Sequence, residues 1–190
     1  VMNPGDTSGW NADDRLAFVL DREDWFQAWT LVIYVLFGAA LVAVTVALHE
    51  RLKAASNTLA MIATPFGFIW AGLVIASGMI ASVGLSAVAG RFEAEPLLAS
   101  QLWTTVGVIQ NGLGGGVEVV GGFWVLMISL ASWATPRSLP LWLNCVGLVV
   151  GVTGVLTVVP AWKALGAVFG LTQIVWFIGV GMTLLRAKSS

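Results

Sequence analysis

QNGLGGGVEVVGGFW, running from Gln110 to Trp124, is the stretch whose reading decides the fold. It lies inside a longer run, Ser100 to Thr135, in which Glu118 is the one formally charged residue. A run of that length and polarity suits a bilayer, which a helix of about 20 residues can cross. An ionisable group inside it is costly. Such a group usually faces protein or trapped water, as a functional site or as a structural anchor.

The rest of the chain has the same character. Of its 190 residues, 58% are hydrophobic and only 10% are charged, against about 25% charged in a soluble domain. The 22 Gly and 10 Trp fit as well, because Gly is frequent in membrane helices and Trp favours the membrane interface. A net charge of −1 with no basic patch argues against nucleic acid as a partner. The single Cys145 excludes an internal disulfide and is expected to be a packing residue. One His and one Cys speak against a His/Cys metal site.

Residues 1–24 form a polar, acidic tail without the basic and apolar regions of a cleavable signal peptide. Within it, Leu16 to Leu20 lie between Asp13-Asp14-Arg15 and Asp21-Arg22-Glu23-Asp24. This reads either as a short interfacial helix anchored by Trp10 and Trp25 or as a solvated lead-in. Residues 25–190 read as a transmembrane bundle. The first span covers Phe26 to Leu48. The second runs from Thr58 to Ala81, with an extension toward Val88, and Pro65 is expected to kink it. After the polar loop Arg91 to Pro96 comes the uncharged region Leu97 to Trp133. It is either one long tilted span or a span from Gly112 preceded by an interfacial helix. The fourth span runs from Leu141 to Val159 and the fifth from Ala164 to Leu185. The expected fold is therefore an all-α integral membrane protein, a bundle of five transmembrane helices, or four if the region near Gly112 divides differently.

Five spans put the termini on opposite sides. With the amino terminus outside, the inner segments hold Arg51, Lys53, Arg137, Arg186 and Lys188, and the outer ones Arg15, Arg22, Arg91 and Lys163. Five against four favours that orientation under the positive-inside rule. Small-xxx-small pairs supply close packing: Gly67 with Ala71, Gly78 with Ser82, Gly147 with Gly151, and Gly166 with Gly170.

On a continuous helix Glu118 has Gly114 and Gly115 one turn before it and Gly121 and Gly122 one turn after, with Asn111 two turns before. The carboxylate then emerges from a glycine face that another helix, a lipid or a cofactor can approach. The run Gly114-Gly115-Gly116 also weakens the helix, at ~1 kcal/mol per Gly relative to Ala. No Lys or Arg lies within another span. A carboxylate desolvated without a counter-charge is expected to carry its proton and to bond Gln173, a Trp N–H or a Thr hydroxyl. The candidate ligand- or proton-binding residues are Glu118, Asn111, Gln173, Tyr34 and Thr153, with a purely structural hydrogen bond as the competing use. Asn144 and Gln110 read as caps or interface contacts. Trp25, Trp29, Trp103, Trp133, Trp142 and Trp162 form an aromatic belt. Trp70, Trp124 and Trp176 lie deeper, as core or as the wall of a cavity. His49-Glu50 lacks the second His of a metalloprotease motif, since Lys53 stands there. Ser77 and Ser82 have no base.

The pattern Asn111 to Trp124, then Leu143-Asn144 with Gly147, Val158-Val159-Pro160 and Phe169 to Phe177, resembles small bacterial polytopic membrane proteins of unknown function. The resemblance implies a membrane bundle and carries over no catalytic residue. The functional expectation is a non-enzymatic protein of the bacterial inner membrane. It would serve as an accessory subunit of a larger assembly, or bind a lipid, quinone or pigment. Its partners would be membrane lipid, other membrane subunits or further copies of itself. The alternative is a small proton-coupled transporter using Glu118.

Overall fold

A computed structural model describes residues 9–54, 56–115, 118–133 and 138–187, and among these all regular structure is helical. Helix α1 (Ala12–Leu20) begins with a reciprocal cap: Asn11 Oδ1 accepts from the Asp14 N–H at 2.9 Å, and Asp14 Oδ2 from the Asn11 N–H at 3.1 Å. This satisfies two donors that a helix start otherwise leaves open. Helix α2 (Glu23–Leu52) contains a π-helical stretch, Leu31–Leu36. Helix α3 (Asn57–Phe92) has 36 residues and runs through Pro65 without ending. Then come α4 (Pro96–Gln110), a π-helical turn at Asn111–Gly115, α5 (Val119–Trp133), α6 (Leu141–Leu156) and α7 (Leu165–Ala187).

Four stretches are long and apolar enough to cross a membrane: α2, α3, Pro96–Trp133 and Leu165–Arg186, while α6 is a shorter apolar helix of 16 residues. The third of these is not one continuous helix. Gly114 has φ +122°, in the left-handed region that a residue with a Cβ rarely enters, and the helical path stops there. Each half has 15 residues, or ~22 Å at 1.5 Å per residue, less than the ~30 Å hydrocarbon core. Together they run along the much longer α3.

The helices approach one another closely through small residues, as helices in lipid do. Cβ atoms built on the glycines show where helices touch. On Gly38 it would lie 2.5 Å from Ile75 Cγ1, on Gly67 2.6 Å from Thr45 Oγ1, and on Gly78 2.5 Å from Tyr34 Cβ, so α2 and α3 lie against each other. Gly84 receives Val106 of α4. Gly122 meets the backbone of Val155, and Gly151 meets Leu126, so α5 and α6 touch main chain to main chain. The expected pair Gly166 and Gly170 does not pack this way. Gly166 has one neighbour, Thr157 Cγ2 at 3.9 Å, and Gly170 has none within 4 Å.

The core is aromatic. Trp124 and Trp176 are fully buried, and Trp70 nearly so. Their rings stand 5.7 Å apart for Trp70–Trp124 and 5.6 Å for Trp124–Trp176, and Phe177 contacts all three. By contrast, Trp25, Trp29, Trp133, Trp142 and Trp162 are exposed. Cys145 is exposed too, on the outside of α6 rather than in packing. Helix α1 turns Leu16 onto Val88 and Ala99 in a small second core, and Ser100 donates a hydrogen bond to Asp13. Part of its apolar face is thus used on protein. At the opposite end, Arg51 Nε donates to the Ser138 carbonyl at 2.7 Å, tying the end of α2 to the approach to α6. Arg137 and Lys188 lie outside the described residues.

Candidate functional site

The break at Gly114 changes the setting of Glu118. Glu118 is not midway along a helix but at the start of α5, where its carbonyl accepts the Gly122 N–H at 2.8 Å. Its own N–H donates to Thr157 Oγ1 at 2.8 Å, and that hydroxyl donates to the Gly154 carbonyl at 2.6 Å. Thr157 is the residue that ends α6. One hydroxyl therefore satisfies an orphan donor at the start of one helix and ties it to the last turn of the next. The carboxylate is mostly buried, yet it makes no hydrogen bond to the described residues. The expected link from this carboxylate to Gln173, an indole or a Thr hydroxyl is not formed; Thr157 engages the backbone instead.

The carboxylate lines a groove of about 510 Å³. Helix α2 contributes Val32, Ile33, Tyr34 and Phe37; α3 contributes Trp70 and Val74. From α7 come Gly166, Phe169, Gly170, Gln173, Ile174 and Phe177, and the broken segment adds Gly114 and Glu118. Both π-helical stretches border it, one through Tyr34 and the other through Gly114. The stretch at Leu31–Leu36 is of a kind that is uncommon and often stands at functional sites, and the one at Gly114 is a kink. The inner wall is aromatic, with Trp70, Phe37, Phe169 and Phe177 in ring contact at 5.6–6.3 Å. At the rim, Val32 and Ile174 are 53% and 59% exposed, so the groove opens onto the apolar flank of the bundle between α2 and α7.

Of the five candidate binding residues, three line this groove: Glu118, Tyr34 and Gln173. Gln173 is 8% exposed, and the Gln110 amide stands beside the Tyr34 hydroxyl, a role its position near a helix end did not suggest. The other two lie elsewhere. Asn111 is exposed, because the helix is kinked at Gly114 and the continuous-helix spacing no longer applies. Thr153 donates to the Val149 carbonyl of its own helix at 2.7 Å, a local bond that spends the hydroxyl. The glycine face divides in the same way. Gly114 has open space beside it, Gly121 holds the Trp70 ring at 2.5 Å from a built Cβ, and Gly122 meets α6. Gly115 ends the π-helical turn. Sequence reasoning missed Gly166, Gly170 and Phe177 as parts of the site. Their spacing with Gln173 (166, 170, 173, 177) follows one helical face and was the available signal.

No described group of three or more His, Cys, Asp or Glu is placed to hold a metal ion. His49 is engaged with Thr64 Oγ1 at 2.8 Å. Ser82 donates to Gln27 Oε1, and Ser77 is buried without a partner among the described residues. What the groove offers is one carboxylate, a phenol, a carboxamide and aromatic faces. That set suits holding a ligand and moving a proton. The chain matches no known family model, no curated protein and no solved structure.

Proposed function

We propose that this is a non-enzymatic integral membrane protein that holds an amphiphilic molecule, a lipid, quinone or pigment, in the Glu118 groove. It acts as a binding protein or as an accessory subunit of a larger membrane assembly. The observation that carries this reading is the convergence of Glu118, Tyr34 and Gln173 from three separate elements onto one groove with an aromatic wall and an apolar rim. Ligand sites have this form: a concave, mostly apolar surface with a few polar groups that fix orientation. The membrane is the bacterial inner membrane, with the amino terminus outside. That orientation follows from the sequence count, five basic residues in the inner segments against four in the outer ones, under the positive-inside rule.

The test is extraction of the full chain into nanodiscs directly from its native membrane, followed by mass spectrometry of what stays bound. One molecular species, or one partner subunit, retained near stoichiometrically is the expected outcome. In the variant Gly170→Leu, which places a side chain in the open space of the groove, a bound small molecule should be lost. A lone monomer with only bulk lipid overturns the reading.

A second reading, a small proton-coupled transporter, has one observation in its favour. The helix is interrupted at Gly114 next to a carboxylate, and interrupted helices build the midplane sites of many transporters. It requires that Glu118→Gln abolish pH-driven uptake in proteoliposomes while the helical circular dichroism persists. The lack of an internal repeat in the sequence weighs against it.

A further inference from the structure

The groove's charge narrows the class of its occupant. We propose that it takes a lipophilic organic cation, which competes with a proton for Glu118. This rests on the reading of the groove as a ligand site and goes beyond it in naming the ligand's charge.

Three observations carry the inference. First, among the described residues lining the groove, Glu118 is the one Asp, Glu, Lys, Arg or His. Tyr34 of α2, Trp70 of α3 and Gln173 of α7 share the groove with it, and the Thr157 hydroxyl that ends α6 is on its backbone N–H. No described Lys or Arg lines the groove. Lys163, in the connection before α7, is exposed, and at the ends of the helices Arg51 is engaged with Ser138, Lys53 with Glu50 and Arg22 with Asp21. A phosphate or carboxylate headgroup would meet an uncompensated carboxylate there, whereas a cation would supply the missing counter-charge. A buried charge is tolerable when it is paired.

Second, the inner wall is built of the rings of Trp70, Phe37, Phe169 and Phe177. Aromatic faces attract cations through the ring quadrupole, most strongly where water is excluded. A carboxylate and aromatic rings in one site match a cation on two independent counts. A neutral quinone or an anionic lipid uses only the rings.

Third, the rim is apolar and exposed, through Val32, Ile33 and Ile174. The cation must therefore carry its own apolar substituents, which rest against α2 and α7 and reach the lipid. A hydrated metal ion or a small hydrophilic amine does not fit that opening. The cation pairs with the ionised carboxylate, so its binding to the protonated form releases the proton, and affinity and protonation are linked.

The experiment uses the full chain in nanodiscs and three probes: tetraphenylphosphonium, the anion tetraphenylborate of similar shape, and the neutral quinone analogue decylubiquinone. Binding is read by equilibrium dialysis from pH 5 to pH 8. We expect the phosphonium to bind at least ~10-fold more tightly than the borate. Its affinity should rise by up to about tenfold per pH unit while Glu118 is protonated, as one-proton competition requires. Glu118→Gln should remove both the preference and the pH slope while leaving the circular dichroism unchanged. If that variant fails to fold, Gly170→Leu serves instead, since it fills the groove without touching the carboxylate and should weaken phosphonium binding about tenfold or more. Tighter binding of decylubiquinone or borate overturns the cation assignment and leaves the ligand groove standing. Phosphonium binding that is unaffected by both substitutions places the cation elsewhere and overturns the assignment as well. Absence of binding by all three probes overturns the cation and the groove together.

Discussion

Two sets of glycines divide the bundle. On the α5–α6 seam, a Cβ on Gly122 would lie 2.7 Å from the Val155 backbone nitrogen, and one on Gly154 2.8 Å from the Gly122 Cα. On the groove side, Gly114 and Gly170 have nothing within 4 Å, and Gly166 has a single neighbour at 3.9 Å. The residue type is the same and the use is opposite. Where another helix comes opposite, a missing side chain lets two backbones touch, which is how membrane helices associate without a hydrophobic drive. Where none comes opposite, the missing side chain is volume left for something else. A small-xxx-small spacing is therefore evidence of packing only once the facing helix is known.

Substitutions test this contrast. The largest effect belongs to the core between the two regions. Trp124 is fully buried against Trp70 and Trp176, and Trp124→Ala should cost about 3–5 kcal/mol through the cavity it leaves, read as unfolding in mixed detergent micelles. Next comes the seam. Gly122→Ala forces a methyl group onto α6 backbone and should cost about 1–3 kcal/mol by overpacking, in the same assay. If it is neutral, the seam is looser than described and the contrast fails. Thr157→Val removes the acceptor of the Glu118 N–H, which we expect to cost ~1–2 kcal/mol. Hydrogen exchange at that amide should accelerate, because the join between α5 and α6 opens at its groove end. The smallest effect is expected at Gly170→Ala. With no clash and better helix propensity, stability should hold or rise by up to ~1 kcal/mol. A destabilisation as large as that of Gly122→Ala would show that the groove side is packed after all.

Much of the helical layout was readable from the residues. The apolar runs from Phe26, Thr58, Leu141 and Ala164 all became helices, because each backbone polar group in an apolar medium must be bonded within its own segment. The region Leu97 to Trp133 was left open between two arrangements. The deciding feature is a single positive φ at Gly114, which composition does not reveal. At the site, Glu118 was conspicuous as a lone charge, and Tyr34 and Gln173 as polar groups in apolar surroundings. Asn111 and Thr153 looked equally good and were not brought there. For Asn111 the helical spacing ceased to hold at the break. For Thr153 the hydroxyl found an acceptor on its own helix, an option open to any Thr in an α-helix.

By itself the sequence determined a chain of apolar helices with one carboxylate in uncharged surroundings. Those properties follow from side-chain hydropathy and charge, which each residue carries wherever the chain folds. Only the tertiary structure decided which glycines face a helix and which face a groove, where α4 gives way to α5, and that an unpaired carboxylate shares an aromatic wall with α3 and α7. Those depend on what stands opposite each residue, and in this bundle the opposite residue is dozens of positions away, as Thr157 is from Glu118.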